Sequence, residues 1–64
     1  MKRRALERHL REHGAEEFDE GANHTKWRGP TGARSVIPRH SDIGAGVVVA
    51  ICKQLGVPRP RNPR

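Results

Sequence analysis

The sequence predicts an α+β fold in the order helix, three strands, helix, with a three-stranded antiparallel sheet covered on one face by both helices. Three observations carry this. Helix formers fill the stretch from Lys2 to His13. Glycines and prolines divide residues 15–38 into three pieces of strand length. Val47, Val48, Ile51, Cys52 and Leu55 then recur at i, i+1, i+4, i+5 and i+8, a single helical stripe.

In the first segment Leu6 and Leu10 lie one turn apart and Gly14 stands where a helix commonly ends. Its apolar face is narrow, and Lys2, Arg3 and Arg4 oppose the helix dipole at its N-terminus, so it needs tertiary packing to persist. AEEFDE reads as a weak first strand. NHTKWR and ARSVIP flank GPTG, where Pro30 suits the second position of a turn and Gly32 a positive φ, which makes a hairpin. Period-two alternation puts Asn23, Thr25 and Trp27 on one face and His24, Lys26 and Arg28 on the other. The large aromatic belongs to the core, so His24, Lys26 and Arg28 project together away from it. VVVAICKQLG is expected to be the second helix, stopped by Gly56 and Pro58.

Sixty-four residues make one small domain, in which folding hides only about 60% of the surface of the unfolded chain. Leu, Ile, Val and Phe total 12, about 19% of residues, so the core is thin. Residues 1–57 are expected to form the domain, and 58–64, with three prolines and three arginines, a mobile basic tail. The net charge of +6 favours acidic partners, nucleic acid above all. It is unevenly spread, with −4 over residues 15–21 and +4 over 22–40. One cysteine, Cys52, excludes an internal disulfide and a zinc ribbon and fits a reducing compartment. No apolar stretch follows the basic start, so neither export nor membrane spanning is expected and a cytoplasmic location is the default.

His9 and His13, at i and i+4, can present two ligands to a metal, yet no third ligand stands at a characteristic spacing; no metal and no cofactor is expected. Ser35 and Ser41 lack a nucleophile-elbow context, and GPTGAR lacks the Lys-Ser/Thr of a phosphate loop. His40 is expected to be structural, with Ser41 and Asp42 satisfying backbone donors before the last helix, and Cys52 to be a small core side chain. His24 is different, because its face carries two cations and an imidazole can take or give a proton at cellular pH. RNA brings its own nucleophile, the 2′-hydroxyl, so a base, an acid and positive charge suffice to cleave it without metal. From the residues alone two readings stand: a proton-transferring histidine, or an ordinary surface histidine in a nucleic-acid-binding sheet.

The ordered elements GANHTKW, PTG, IPRHSDI and GVVVAICKQLG, preceded by MKRRALERHLREHG, resemble the HicA (YcfA-like) toxins over about residues 2–57. The hallmark of that family is Gly, then Gly or Ser, any residue, His, two residues and an aromatic. Here it falls on Gly21, Ala22, Asn23, His24, Thr25, Lys26 and Trp27. The resemblance implies a double-stranded-RNA-binding-domain-like αβββα fold acting as a ribosome-independent, metal-independent mRNA endonuclease, neutralised by a HicB-type antitoxin. The family's catalytic histidine falls on His24, with Lys26, Arg28 and Arg39 expected to hold RNA phosphates. The sequence departs from the family pattern at Ala22, at Glu16 and Glu17 in a strand usually more apolar, at Asp19 in place of a frequent Arg, at Gly44 and at Val47. The alternatives to an RNA-cleaving toxin are a non-catalytic RNA-binding module of the same fold and an inactive antitoxin-binding relic.

Overall fold

The computed structural model describes residues 1–21 and 24–61. The chain runs through α1 (Arg3–Glu12), β1 (Glu16–Glu20), β2 (His24–Arg28), β3 (Arg34–Pro38) and α2 (Ala45–Leu55). Both strand pairings are antiparallel and the sheet order is β1-β2-β3, which is the αβββα arrangement expected from the sequence. Ala22 and Asn23, and with them the departure at Ala22 and the expected core-facing Asn23, lie outside the described residues, as do residues 62–64 of the tail.

α1 holds its narrow face, Leu6 and Leu10, fully buried, and Arg3–Glu7 and Arg8–Glu12 ion pairs along its flank offset the absence of an acidic first turn. Both helices end alike. Gly14 and Gly56 take φ +87° and +75°. The next amide then reaches back, Ala15 N–H to Leu10 O at 2.9 Å and Val57 N–H to Cys52 O at 3.0 Å, which drops Ala15 and Val57 into the core. The β2–β3 hairpin turns at Gly29–Gly32, with Gly32 N–H donating to Gly29 O at 3.0 Å. Its register sets His24 against Pro38, Lys26 against Val36 and Arg28 against Arg34.

The core lies between the sheet and the two helices. Trp27 and Ile37 are buried from the sheet, and Leu6, Leu10, Val48, Ile51, Cys52 and Leu55 from the helices. Trp27 Nε1–H donates to Thr25 Oγ1 at 3.0 Å, and Thr25 Oγ1–H to Ile37 O at 3.4 Å, so the one large polar-tipped side chain of the core is satisfied inside it. Arg11 lies over the Trp27 ring, 5.0 Å from its centroid, and closes the α1 end.

Two expectations need correction. Val47, placed on the apolar stripe of the last helix, is 47% exposed. α2 begins two residues earlier, at Ala45, and the residues it buries are Val48, Ile51, Cys52 and Leu55. Ser41 and Asp42 do not prepare α2, whose N-cap is Gly44 with no side-chain bond. They pair instead with the start of the chain: Arg3 N–H donates to Ser41 O at 2.9 Å, Ile43 N–H to Met1 O at 2.7 Å, and Lys2 Nζ sits 3.1 Å from Asp42 Oδ1. After α2, Val57 and Pro60 are buried and His9 Nε2–H donates to the Pro58 carbonyl at 2.6 Å.

Cys52 is the buried free thiol of the core, and burial pushes its pKa up. The folded thiol therefore keeps its proton to higher pH than the unfolded one, so its contribution to stability is intact below the unfolded thiol's pKa and is lost as pH rises above that toward the raised pKa of the folded thiol. At pH 8 iodoacetamide is expected to modify Cys52 only as fast as the chain unfolds, checked by mass spectrometry with and without denaturant. Rapid labelling of the folded protein would contradict its place in the core.

Candidate functional site

The face of the sheet opposite the helices is uncovered, and its residues follow from alternation. On β2, Thr25 and Trp27 are buried while His24 and Lys26 are exposed and Arg28 is half-buried. The three residues expected to project together do so. On β3, the cross-strand partners Arg34 and Val36 are exposed on the same side, Val36 at 49%.

β1 breaks the simple alternation. Its pairing with β2 shifts between Glu17, opposite Trp27, and Asp19, opposite Lys26, so Phe18 is the extra residue of a bulge. Its ring reaches the uncovered face, 5.3 Å from the Arg28 guanidinium and 5.4 Å from that of Arg34. Arg28 and Arg34 stand directly opposite one another, a repulsive pairing that the aromatic ring and Glu16 relieve.

His24 opens β2. Gly21 passes so close beneath it that an added Cβ would sit 2.7 Å from the His24 carbonyl oxygen. That contact is the physical reason for a glycine three residues before the histidine, since any side chain there would push the histidine backbone out of place. Among the described residues none bonds to the His24 ring.

The three cations expected to hold phosphates are each paired with an acidic residue at or near the sheet edge. Lys26 Nζ lies 3.6 Å from Asp19 Oδ2, Arg28 Nη2 3.6 Å from Glu16 Oε1, and Arg39 Nη2 3.3 Å from Glu20 Oε1. The acidic run that made β1 a weak strand from its sequence is thus a counter-charge to the basic hairpin. All six groups are partly exposed, a setting in which such pairs are worth only about 0–1 kcal/mol each and exchange readily with other ions.

The other expected residues lie elsewhere. His40 is exposed beyond β3. His13 Nδ1–H donates to the His9 carbonyl at 2.9 Å, and the two rings are 4.4 Å apart on α1. Among the described residues no group of three His, Cys, Asp or Glu side chains gathers to hold a metal, and no helix is long and apolar enough to cross a membrane. Reading the sequence left Phe18, Arg34 and Val36 off the uncovered face. Arg34 and Val36 were accessible through the hairpin register, whereas the bulge that turns Phe18 outward leaves no mark in the residue pattern.

Fold and face together define a small basic α+β protein that offers an imidazole, several cations and one aromatic ring on a bare sheet. Residues 3–57 match the family described as HicA toxin of bacterial toxin-antitoxin, and the chain belongs to that family, whose toxins are partnered by antitoxins. No curated protein and no solved structure matches the chain significantly.

Proposed function

We propose that this toxin is a metal-independent mRNA endoribonuclease acting in the cytoplasm, with His24 as the proton-transfer group and a HicB-type antitoxin as its inhibitor. The observation that supports this best is the placement of an exposed histidine on the same sheet face as Lys26 and Arg28 in a chain of the HicA toxin family. In the reaction the RNA 2′-oxygen attacks the adjacent phosphorus, the 2′-hydroxyl proton is removed, and the bond to the 5′-oxygen breaks as that oxygen is protonated. His24 serves as the base for the first proton or the acid for the second. Lys26, Arg28 and Arg39 hold the phosphates and offset the charge that develops on them. The test is cleavage of mRNA by the purified chain in the presence of a chelator, set beside His24→Ala. Intact RNA with folded wild-type protein would refute it.

Because Lys26, Arg28 and Arg39 already carry carboxylate partners, RNA phosphates must displace Asp19, Glu16 and Glu20. The triple variant Glu16→Gln, Asp19→Asn, Glu20→Gln is expected to bind RNA on the order of ten-fold more tightly, since three weak exposed pairs no longer compete. Affinity should also fall more steeply with salt. Fluorescence anisotropy with labelled RNA across a salt series checks both, and unchanged affinity would mean that these cations do not touch phosphate.

A further inference from the structure

One of the two aromatic residues of this chain is spent outside the core. Trp27 is fully buried, but Phe18 is 39% exposed in a protein whose core is short of large side chains. It borders a shallow cavity of about 310 Å³ that runs from the uncovered face, over Lys26, Val36 and Arg34, round the β3 edge to Ser35 and to Gln54 of α2 on the helix side. That volume is at the small end of ligand pockets, roughly 300 to 1,000 Å³, and suits one flat ring system with its sugar.

We propose that this cavity is a subsite for a single unpaired nucleobase of the RNA, next to the scissile phosphate. The inference rests on the RNA-cleaving function proposed above and adds to it which part of the substrate is read and where. The walls match a base in kind. Phe18 and the Arg34 guanidinium are planar π surfaces of the sort on which bases stack. Val36 supplies an apolar floor. At the far end Ser35 Oγ–H donates to Gln54 Oε1 at 2.6 Å, which holds the Gln54 amide with its NH₂ group as the donor for a base carbonyl or ring nitrogen. Lys26 and Arg34 provide the charge for the flanking phosphates.

The site also lies at the right place. Lys26, which lines it, is two residues from His24 on the same face of β2, about 7 Å along the strand, so a base held there belongs to a nucleotide beside the one being cut. An unpaired base is required because a duplex hides both faces of every base in its stack, and the major groove of an RNA helix is too deep and narrow for side chains to read. Charge favours RNA over a protein occupant, since Lys26 and Arg34 line the cavity and Arg28 lies against the Phe18 ring, and the carboxylates that pair with Lys26 and Arg28, Asp19 and Glu16, are exposed and displaceable by phosphate.

The test uses His24→Ala as the parent, so that binding is measured without cleavage, and three probes: a fluorescein-labelled single-stranded RNA of mixed sequence, the same strand annealed to its complement, and the purified antitoxin. Phe18→Ala in that parent is expected to weaken single-strand binding about ten-fold or more, to leave duplex binding nearly unchanged, and to preserve the salt slope because the phosphate contacts remain. Phe18→Trp should restore affinity, and Phe18→Leu, which keeps apolar bulk on the sheet, should not. Thermal unfolding of each variant separates lost stacking from lost fold. Equal affinity of Phe18→Ala and parent, equal loss for single strand and duplex, or loss confined to antitoxin binding would each overturn the subsite while leaving the cleavage proposal standing. Failure of the folded parent to bind any RNA at low salt would overturn both.

Discussion

His24→Ala is expected to abolish RNA cleavage and growth arrest while leaving the fold and antitoxin binding in place. Three links lead there. Alternation opposite buried Thr25 and Trp27 puts His24 on the uncovered face, so truncating it opens no core cavity, and its stability cost should stay within about 0.5 kcal/mol. No described residue depends on its ring for a hydrogen bond. Loss of a positioned proton-transfer group typically costs about 100 to 10,000-fold in rate, enough to let synthesis outpace degradation of cellular mRNA. The measurements are RNA cleavage in the presence of a chelator, growth after induction, and circular dichroism of the purified variant. His40→Ala, which removes an exposed histidine beyond β3, is the control and should cleave like wild type. A folded His24→Ala protein that cleaves at the wild-type rate would remove His24 from the reaction.

Gly29→Ala is expected to have the largest effect on folding of any single-methyl addition in the described chain. The end of α2 rests directly on the hairpin turn, and a Cβ at position 29 would lie 1.8 Å from the Leu55 carbonyl oxygen and 2.8 Å from its carbonyl carbon. These are backbone atoms of a helix terminus already fixed by the Gly56 and Val57 amides, so they cannot swing aside as a side chain would. Either α2 lifts from the sheet, uncovering Leu55 and Trp27, or the hairpin bends and loses its register. Overpacking of this kind costs roughly 3 kcal/mol or more, a large part of the total stability of a domain this small. Gly32→Ala is the comparison. Position 32 has φ +93° but nothing within 4 Å of an added Cβ, so the cost there is backbone strain alone, about 1–2 kcal/mol. Chemical denaturation should rank the two variants clearly. A Gly29→Ala protein as stable as Gly32→Ala would mean that α2 does not pack on the turn as described.

The antitoxin bears on both results. A toxin of this family works against a partner that must recognise it whether or not it is catalytic, so His24→Ala should be captured normally and Gly29→Ala poorly. The contrast separates loss of chemistry from loss of structure in one pull-down.

What the sequence determined by itself was everything carried by short-range pattern. Helical spacing marked both helices, GPTG marked the hairpin, and alternation about Trp27 sent His24, Lys26 and Arg28 to one side, because these depend on backbone period and local φ preference, which neighbouring residues set. The order of GANHTKW, PTG, IPRHSDI and GVVVAICKQLG likewise pointed to the family. Tertiary structure decided the rest. Whether Val47 or Ala45 opens the last helix, and which valines it buries, depends on the sheet it lands on. Ser41 and Asp42 pair with Arg3 and Lys2, 38 and 40 positions away, beyond the reach of any local signal. Most consequential is β1: EEFDE reads as a poor strand, yet its bulge turns Phe18 onto the uncovered face, and Glu16, Asp19 and Glu20 meet the cations of the hairpin and of Arg39. A charge run takes on meaning only when the strand beside it is known, because attraction between side chains depends on distance in space, and strand pairing is what brings residues remote in the chain to within 4 Å.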